Sequence, residues 1–162
     1  MSDLVLERAE AATAEIAALL AELNQALDVG YAPEQKHALS IEQLFQPNVR
    51  FFLARVAGKA VACGGIGFYD GYAELKRMYA RPDMRGQGVA KALLQRLEAE
   101  ARAAGIAVVR IETGDRQHAA MRFYEREGYR KCAAFGPYAA MPAKAIATSV
   151  FYEKILAEAP RS

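Results

Sequence analysis

Residues 74–94 read ELKRMYARPDMRGQGVAKALL, and this stretch contains the pattern that determines the fold. A strand is predicted over Ala73 to Ala80, and it ends before Pro82. Two glycines, Gly86 and Gly88, then open a helix predicted over residues 86–104, whose apolar residues recur on one face. The first amides of a helix have no intrahelical partner, and the helix dipole adds partial positive charge there. The order strand, glycine-rich loop and long helix therefore predicts an anion-binding turn.

Three kinds of phosphate-binding loop compete for this segment. The P-loop pattern GxxxxGK[ST] is absent. The dinucleotide pattern GxGxxG fails, because Lys91 stands at the third glycine and the motif lies in mid-chain. The remaining pattern, [QR]xxGx[GA] at the start of a long helix, is filled by Arg85, Gly88 and Ala90. A glycine-rich turn that only starts a helix is the structural alternative.

Hydrophobic patterns on both sides of this segment predict an α/β (α+β) fold in the order β-α-α-β-β-β-α-β-α-β-β. The predicted strands are Leu4–Glu7, Val49–Val56, Ala60–Phe68, Ala73–Ala80, Ile106–Thr113, Tyr129–Phe135 and Thr148–Leu156. Glycines at 64, 65 and 67 predict a bulge or a close backbone approach. The other predicted helices cover residues 12–27, start at a Ser40–Gln43 capping box, and extend from an Asp115 cap through Glu127. The stretch from Gly136 to Ala145 is predicted to be irregular.

Composition limits the classes of function. The 162 residues are 53% hydrophobic and 25% charged, the balance of an ordinary globular domain, so one domain is predicted over residues 1–162. A net charge of +2 does not favour nucleic acid or a membrane surface as a partner. The first ten residues lack the apolar core of a signal peptide, and no apolar run is long enough to cross a membrane. Two cysteines outside any metal-binding spacing predict a cytoplasmic protein without a metal.

Two segments resemble the signatures of the GCN5-related N-acetyltransferase (GNAT) superfamily. Residues 74–88 resemble its acyl-CoA motif, and residues 120–129, AMRFYEREGY, resemble its second signature, A-x-x-[FL]-Y-E-x-x-G-[FY]. The resemblance covers nearly the whole chain. It implies the GNAT fold, a mixed and mostly antiparallel central sheet of about seven strands flanked by about four helices, with one pair of splayed strands.

A narrower resemblance concerns Glu112-Thr113-Gly114 before Gln117, together with the turn Phe135-Gly136-Pro137-Tyr138. Both features are similar to a bacterial subgroup of small GNAT proteins, some of which are named as indoleacetate-type acetyltransferases. The stretch Ala139 to Thr148 is longer than is usual in that subgroup, so the loop on the substrate side is expected to differ.

The GNAT resemblance implies acetyl-CoA as the cosubstrate and a primary amine of a small molecule as the acceptor, with direct attack in a ternary complex. Main-chain groups of Met78, Tyr79 and Ala80 would pair with pantetheine like an added strand, and the Met78 amide would polarise the thioester carbonyl. The other coenzyme contacts that the resemblance implies come from Arg85, Gly86, Gln87, Gly88, Val89, Ala90, Lys91, Gln117 and Tyr124.

The chemistry requires a base and an acid. An alkylammonium with a pKa of about 10 must lose a proton before it attacks the thioester. Glu74 and Glu112 are alternative bases, and a chain of water molecules is the third. Tyr124 is expected to protonate the departing thiolate. The structural alternatives are solvated carboxylates at strand edges and a tyrosine that only packs in the core.

The acceptor site is expected to include Tyr31 and Glu34, and also Lys76 and Arg77, which either face a carboxylate on the acceptor or are surface charges.

Two other functions stay open, a non-catalytic acyl-CoA-binding or sensing domain and a protein or peptide N-acetyltransferase. Tyr124 and the two glutamates argue against the first, and the lack of an acidic cluster argues against the second. A homodimer is also left open.

Overall fold

Seven strands form one sheet in the computed structural model, which describes residues 3–28 and 30–156. They are β1 Leu4–Ala9, β2 Val49–Val56, β3 Lys59–Tyr69, β4 Tyr72–Ala80, β5 Val108–Gly114, β6 Arg130–Lys131 and β7 Ser149–Ile155. Their order across the sheet is β1-β2-β3-β4-β5-β7-β6. Every neighbouring pair is antiparallel except β4 and β5, which run parallel. The predicted mixed, mostly antiparallel sheet is therefore confirmed.

Four α-helices lie in the described residues, α1 Ala14–Asp28, α2 Val89–Ala103, α3 His118–Arg126 and α4 Ala143–Ile146. This number agrees with the GNAT fold. Short 3₁₀ turns lie at Pro33–Gln35, Glu42–Phe45, Pro82–Met84 and Gly136–Ala140. None of the helices in residues 3–28 and 30–156 combines the length and the apolar character that crossing a bilayer requires.

Several predicted elements differ from the structure in type or extent. The Ser40–Gln43 capping box does form, with Gln43 N–H donating to Ser40 Oγ at 3.3 Å, but it opens only a 3₁₀ turn. Gln117 rather than Asp115 occupies the N-cap position of α3, without a side-chain capping bond, and Asp115 N–H donates to the Thr148 carbonyl at 2.8 Å. The strand predicted over Tyr129–Phe135 shrinks to β6, since after Cys132 the chain leaves the sheet edge.

Successive side chains of each strand point to opposite faces of the sheet, so the hydrophobic core lies on both faces. On one face, α2 buries Leu93, Leu94 and Leu97 against strand residues that include Phe52 and Tyr152. These leucines are at most 1% exposed. Burial of each leucine side chain contributes about 1.5–3 kcal/mol, so α2 is held mainly by packing. The helix that follows the glycine-rich loop is thus fixed against the centre of the sheet.

Two separate groups of residues pack on the opposite face of the sheet. Helix α1 buries Ile16 and Leu19 against Phe51 and Leu53 of β2. An aromatic cluster covers β4, β5 and β7 further along the sheet, and its buried members are Tyr72, Phe135, Tyr138 and Phe151. Between α1 and this aromatic cluster, the same face of the sheet carries polar side chains.

The parallel pair β4 and β5 separates soon after it forms. Only Ala73 and Glu74 are in register with β5, although β4 continues to Ala80 and β5 to Gly114. A bulge lies in the part of β4 that diverges, where Arg77 and Met78 together oppose Gly64 of β3. Met78 Sδ occupies the position that a Cβ at residue 64 would take, which confirms the predicted bulge and close approach. The splayed strand pair is therefore present.

Candidate active site

A cavity of about 150 Å³ lies where β4 and β5 diverge. Its walls come from the ends of the two strands, the end of α1, the segment 31–39 and the start of α3. The charged side chains that line it are Lys36, Glu74, Lys76, Arg77 and Glu112. The polar face left between α1 and the aromatic cluster is therefore the floor of a pocket that contains both candidate bases.

The glycine-rich loop presents unpaired amides beside this cavity. Gly86 and Gly88 both have φ +76, a left-handed conformation that favours glycine, and a Cβ at either position would meet no atom within 4 Å. The first hydrogen bond of α2 runs from Ala92 N–H to the Gly88 carbonyl at 3.0 Å. The amides of residues 89–91 therefore precede the helical ladder. With the exposed side chains of Arg85 and Lys91, they form an open and positively charged cradle.

Internal hydrogen bonds hold the cradle in shape. Met84 N–H donates to the Arg81 carbonyl at 2.9 Å, and Arg85 N–H donates to the Pro82 carbonyl at 3.2 Å. The predicted contact residue Gln87 uses its side-chain amide to bind the Asp83 carbonyl at 3.1 Å. The loop therefore keeps its conformation through its own contacts, and the amides of residues 89–91 stay available to a ligand.

Strand β4 connects the cavity to the cradle. Its residues Met78, Tyr79 and Ala80 are half-buried. The Met78 side chain packs beside Gly64 on the α2 face, whereas the Tyr79 hydroxyl donates to Glu22 at 3.0 Å on the α1 face. Because both side chains are engaged on the two faces of the sheet, a ligand between β4 and β5 would meet mainly main-chain groups.

Tyr124 of α3 has a buried side chain that lines the cavity. Its ring packs edge-on against Phe123 and Tyr129, at centroid distances of 5.2 and 5.6 Å. Its hydroxyl makes no hydrogen bond to any residue that the structure describes. Burial raises the pKa of Tyr124, so the hydroxyl keeps its proton. Tyr124 is thus a core residue whose protonated hydroxyl lies at the cavity wall, and Gln117 lines the same wall about two turns earlier.

The two candidate bases have different environments. Glu74 is 3% exposed, and both of its oxygens are engaged. Lys76 Nζ lies 2.9 Å from Oε1, and the Tyr138 hydroxyl donates to Oε2 at 2.7 Å. Neither oxygen of Glu74 is therefore left without a partner.

Glu112 on β5 has a free oxygen. Its Oε2 accepts a hydrogen bond from the Ser149 hydroxyl at 2.7 Å, and its Oε1 accepts none within residues 3–28 and 30–156. Burial raises the pKa of Glu112, and the negative charge of Glu74 adds to the rise. The Ser149 hydrogen bond, His37 and Lys76 oppose the rise. Glu112 therefore binds a proton more readily than an exposed carboxylate would.

The segment 31–39 closes the cavity on the acceptor side. Tyr31 packs directly on Gly114, and its hydroxyl accepts a hydrogen bond from Arg116 N–H at 2.7 Å. Glu34, also predicted at the acceptor site, is exposed in the middle of the 3₁₀ turn Pro33–Gln35 and does not line the cavity. Lys76 and Arg77 both line it.

One site residue, Tyr138, was missed from the sequence, whereas His37 lies in the segment that was expected to wall the acceptor site. Tyr138 contacts Glu74, and His37 Nε2 lies 2.9 Å from the Ala145 carbonyl while its ring packs edge-on against Tyr138 at 5.5 Å. Tyr138 belongs to the turn that resembles the bacterial subgroup, which was the available signal. No cluster of three or more histidine, cysteine, aspartate or glutamate side chains that could hold a metal ion occurs in the described residues.

Comparison with known proteins agrees with this geometry. The Acetyltransferase (GNAT) family profile matches residues 16–129. The chain is 39% identical over 140 residues to an IAA acetyltransferase of Azospirillum brasilense, covering 85% of this chain and 88% of that protein. A solved Klebsiella pneumoniae structure, assigned as an acyl-CoA N-acyltransferase, superposes with a TM-score of 0.73 at 36% identity, covering 95% of this chain and 98% of the other.

A more distant structure shares the fold. The GNAT acetyltransferase of Elizabethkingia anophelis, solved with acetyl-CoA bound, superposes with a TM-score of 0.69 at 17% identity, covering 96% of this chain and all of the other. The profile match covers more than half of the chain, and the Azospirillum and Klebsiella proteins match it over most of their length. The chain therefore belongs to the GNAT family of N-acetyltransferases.

Proposed function

We propose that this enzyme transfers the acetyl group of acetyl-CoA to the primary amine of a small molecule, by direct attack within a ternary complex. One observation carries the proposal. The open amide cradle at residues 86–91 and the splayed end of β4 lead into a cavity that contains a free carboxylate oxygen on Glu112 and a free hydroxyl on Tyr124.

The residues of the cradle fit the coenzyme. Backbone amides at the start of α2 and the Arg85 side chain suit a diphosphate, because they add positive charge beside Gly86 and Gly88, where the space around each Cβ position is open. Main-chain groups of Met78 and Ala80 suit the pantetheine amides as an added strand. The Met78 amide would then polarise the thioester carbonyl, and Gln117 would bond the coenzyme backbone. Acetyl-CoA is bound by the Elizabethkingia protein of the same fold.

Glu112 is the base that the geometry favours over Glu74. One Glu112 oxygen is free, whereas Lys76 and Tyr138 engage both oxygens of Glu74. The raised pKa of Glu112 also brings its proton affinity closer to that of an amine. We assign Glu74 to holding Lys76 and Tyr138 in place, so that its charge contributes to the site without accepting the proton.

Tyr124 completes the proton balance. The ammonium first gives one proton to Glu112, which releases it to solvent. The neutral nitrogen then forms a bond to the acetyl carbon while the carbon–sulfur bond breaks. Tyr124 donates its hydroxyl proton to the departing sulfur, and the second proton that the nitrogen loses restores the Tyr124 hydroxyl, so free thiol is the second product. A tyrosine hydroxyl is already protonated at neutral pH with its ordinary pKa of about 10, so this proton is present when the sulfur departs.

The shape of the cavity supports a small acceptor. Tyr31, His37 and Tyr138 wall the cavity on the acceptor side, and the contact of His37 with the Ala145 carbonyl joins segment 31–39 to α4. A peptide would need an open groove at this place. The arrangement therefore supports a small amine over a protein or peptide acceptor.

An acceptor screen tests the proposal. Purified enzyme is incubated with acetyl-CoA and a panel of small primary amines, and free thiol release and acetylated product are both measured. Thiol release that depends on the amine is expected. Binding of acetyl-CoA without turnover of any amine would instead indicate a non-catalytic acyl-CoA-binding domain, and acetylation of peptides alone would indicate a peptide acetyltransferase.

The cellular compartment and the oligomeric state of the enzyme are also proposals. Cys63 and Cys132 are free thiols, which suits the reducing cytoplasm where we expect the enzyme to act. The homodimer stays a prediction, and light scattering on the eluting protein would give the oligomeric state.

A further inference from the structure

We infer that the acceptor carries an anionic group, such as a carboxylate or a phosphonate, and that Arg77 binds it. This inference rests on the proposed function and names the substrate class of the same cavity. Its basis is the unequal pairing of two neighbouring cations, Lys76 and Arg77, which both line the cavity.

The positive charge of Lys76 is already balanced by an ion pair with Glu74. Its ammonium lies 2.9 Å from Glu74 Oε1, and its side chain is only 10% exposed. The rings of Tyr69 and Tyr138 lie near the same ammonium, at 5.8 and 5.9 Å from their centroids. Because this charge has both a carboxylate and two aromatic faces as partners, it attracts a ligand anion only weakly.

Arg77 has no carboxylate partner among the described residues. Its Nη2 donates to the neutral side-chain amide of Asn24, and its Nε is buried without any hydrogen-bond partner. Burial lowers the pKa of Arg77, which shows that the charged form is poorly solvated. Arg81, four residues further along the chain, is by contrast paired with Glu22 at 3.0 Å. Arg77 is therefore a desolvated cation at the cavity wall without a counter-ion.

The bulge of β4 places Arg77 at the cavity. In a regular strand, successive side chains point to opposite faces, so residues 76 and 77 would not share one pocket. Arg77 adopts φ +55, a left-handed conformation that is strained for a residue with a Cβ. A bulge changes the direction in which a side chain points, and it interrupts the ladder of hydrogen bonds between the two strands. Here it brings a second cation to the pocket wall beside Lys76.

The charges of the cavity define an orientation for the acceptor. Glu112 attracts the amine end and repels an anion, whereas Arg77 does the reverse. A guanidinium also binds a carboxylate or a phosphonate through parallel hydrogen bonds, which an alcohol cannot replace. The cavity therefore selects a small molecule that carries an amine at one end and an anion at the other.

A matched acceptor series tests this inference. β-Alanine and 2-aminoethylphosphonate carry an anion, whereas 3-aminopropanol has a similar length and amine but no charge. The wild-type kcat/KM is expected to be higher for the anionic acceptors by on the order of ten-fold or more. The better of the two anions identifies whether a carboxylate or a phosphonate is preferred.

Variants at position 77 test whether Arg77 causes the preference for anionic acceptors. Arg77→Met is expected to remove the preference, mainly by raising KM for the anionic acceptor, and to lower kcat/KM much less for 3-aminopropanol than for the anionic acceptors. Arg77→Lys keeps the charge and is expected to retain part of the preference. Lys131→Met, which removes an exposed charge on β6, is the matched control and should keep the wild-type ratio.

Equal kcat/KM for the charged and uncharged acceptors in the wild type would overturn the inference, as would an equal loss on both in Arg77→Met. If Arg77→Met does not fold, the wild-type ratio and Arg77→Lys still decide. If no amine at all releases thiol, the proposed function fails instead. Calorimetric titration of β-alanine and 3-aminopropanol into the wild-type enzyme then tests the inference without turnover, and equal affinities would overturn it.

Discussion

The choice of base gives the most informative prediction. Replacing Glu112 with Gln keeps the size of the side chain and an acceptor for Ser149, but removes the proton acceptor. An amine with a pKa of about 10 is neutral in only about one molecule in a thousand at pH 7. Without an internal base the variant depends on that fraction, so kcat should fall by up to about 10³-fold at pH 7, within the usual range for a general base. This loss corresponds to about 4 kcal/mol of transition-state stabilisation.

The pH profile makes the test specific. Each unit of pH raises the neutral fraction of the amine about ten-fold, so the deficit of Glu112→Gln should shrink to about ten-fold near pH 9. Stopped-time assays of thiol release at saturating acetyl-CoA and fixed amine, from pH 6.5 to 9.5, measure this slope. A deficit that stays constant over the range would refute Glu112 as the base.

Glu74→Gln is the matched comparison. It removes one partner of the buried pair with Lys76, which should cost about 3–5 kcal/mol of folding stability. Its activity at a temperature where it remains folded should show no extra dependence on pH. If Glu74→Gln shows the steep profile and Glu112→Gln does not, the roles that we assign to the two carboxylates are reversed.

Three further predictions concern the same site. Tyr124→Phe should lower kcat about ten-fold or more with little change in acetyl-CoA affinity, and wild-type turnover would reject its role as the acid. Tyr138→Phe removes a hydrogen bond between two buried groups and should lower the free energy of unfolding by about 1.5–3 kcal/mol in urea denaturation; no change would show that the bond is not stabilising. The folded-state pKa of Glu112 lies above its unfolded value, so wild-type stability falls as pH rises from near 4.5 through the folded pKa. Glu112→Gln should therefore gain stability over the wild type across this window, and a difference independent of pH would contradict the raised pKa.

Local patterns predicted most of the fold. The β2–β3 hairpin, the loop at Gly86 and Gly88 and the helix that follows depend on residues close in sequence, and they lie where they were expected. The start of α2 shifted to Val89, because the left-handed glycines cannot belong to a regular helix. Asp115 looked like a cap from its spacing, but a hydrogen bond to Thr148 draws its backbone to the neighbouring segment.

The acceptor side of the site was less predictable, because distant contacts build it. Tyr138 reaches Glu74 across 64 positions of sequence, and His37 reaches Ala145 across 108. No periodic pattern encodes such pairs. The separate roles of Lys76 and Arg77 also depend on one bulge opposite Gly64, whose side-chain consequences are visible only once β3 and β4 are paired.

The central claim is that the cradle at the start of α2 binds acetyl-CoA. Calorimetric titration of acetyl-CoA into Gly88→Glu tests it most directly. Gly71→Glu is the matched control, because Gly71 also has a positive φ, +83, and open space around its Cβ position, but lies in the β3–β4 turn. Both variants carry the same backbone strain and the same added charge. We predict that Gly88→Glu loses acetyl-CoA binding while Gly71→Glu binds like the wild type. Wild-type affinity in Gly88→Glu would contradict the account.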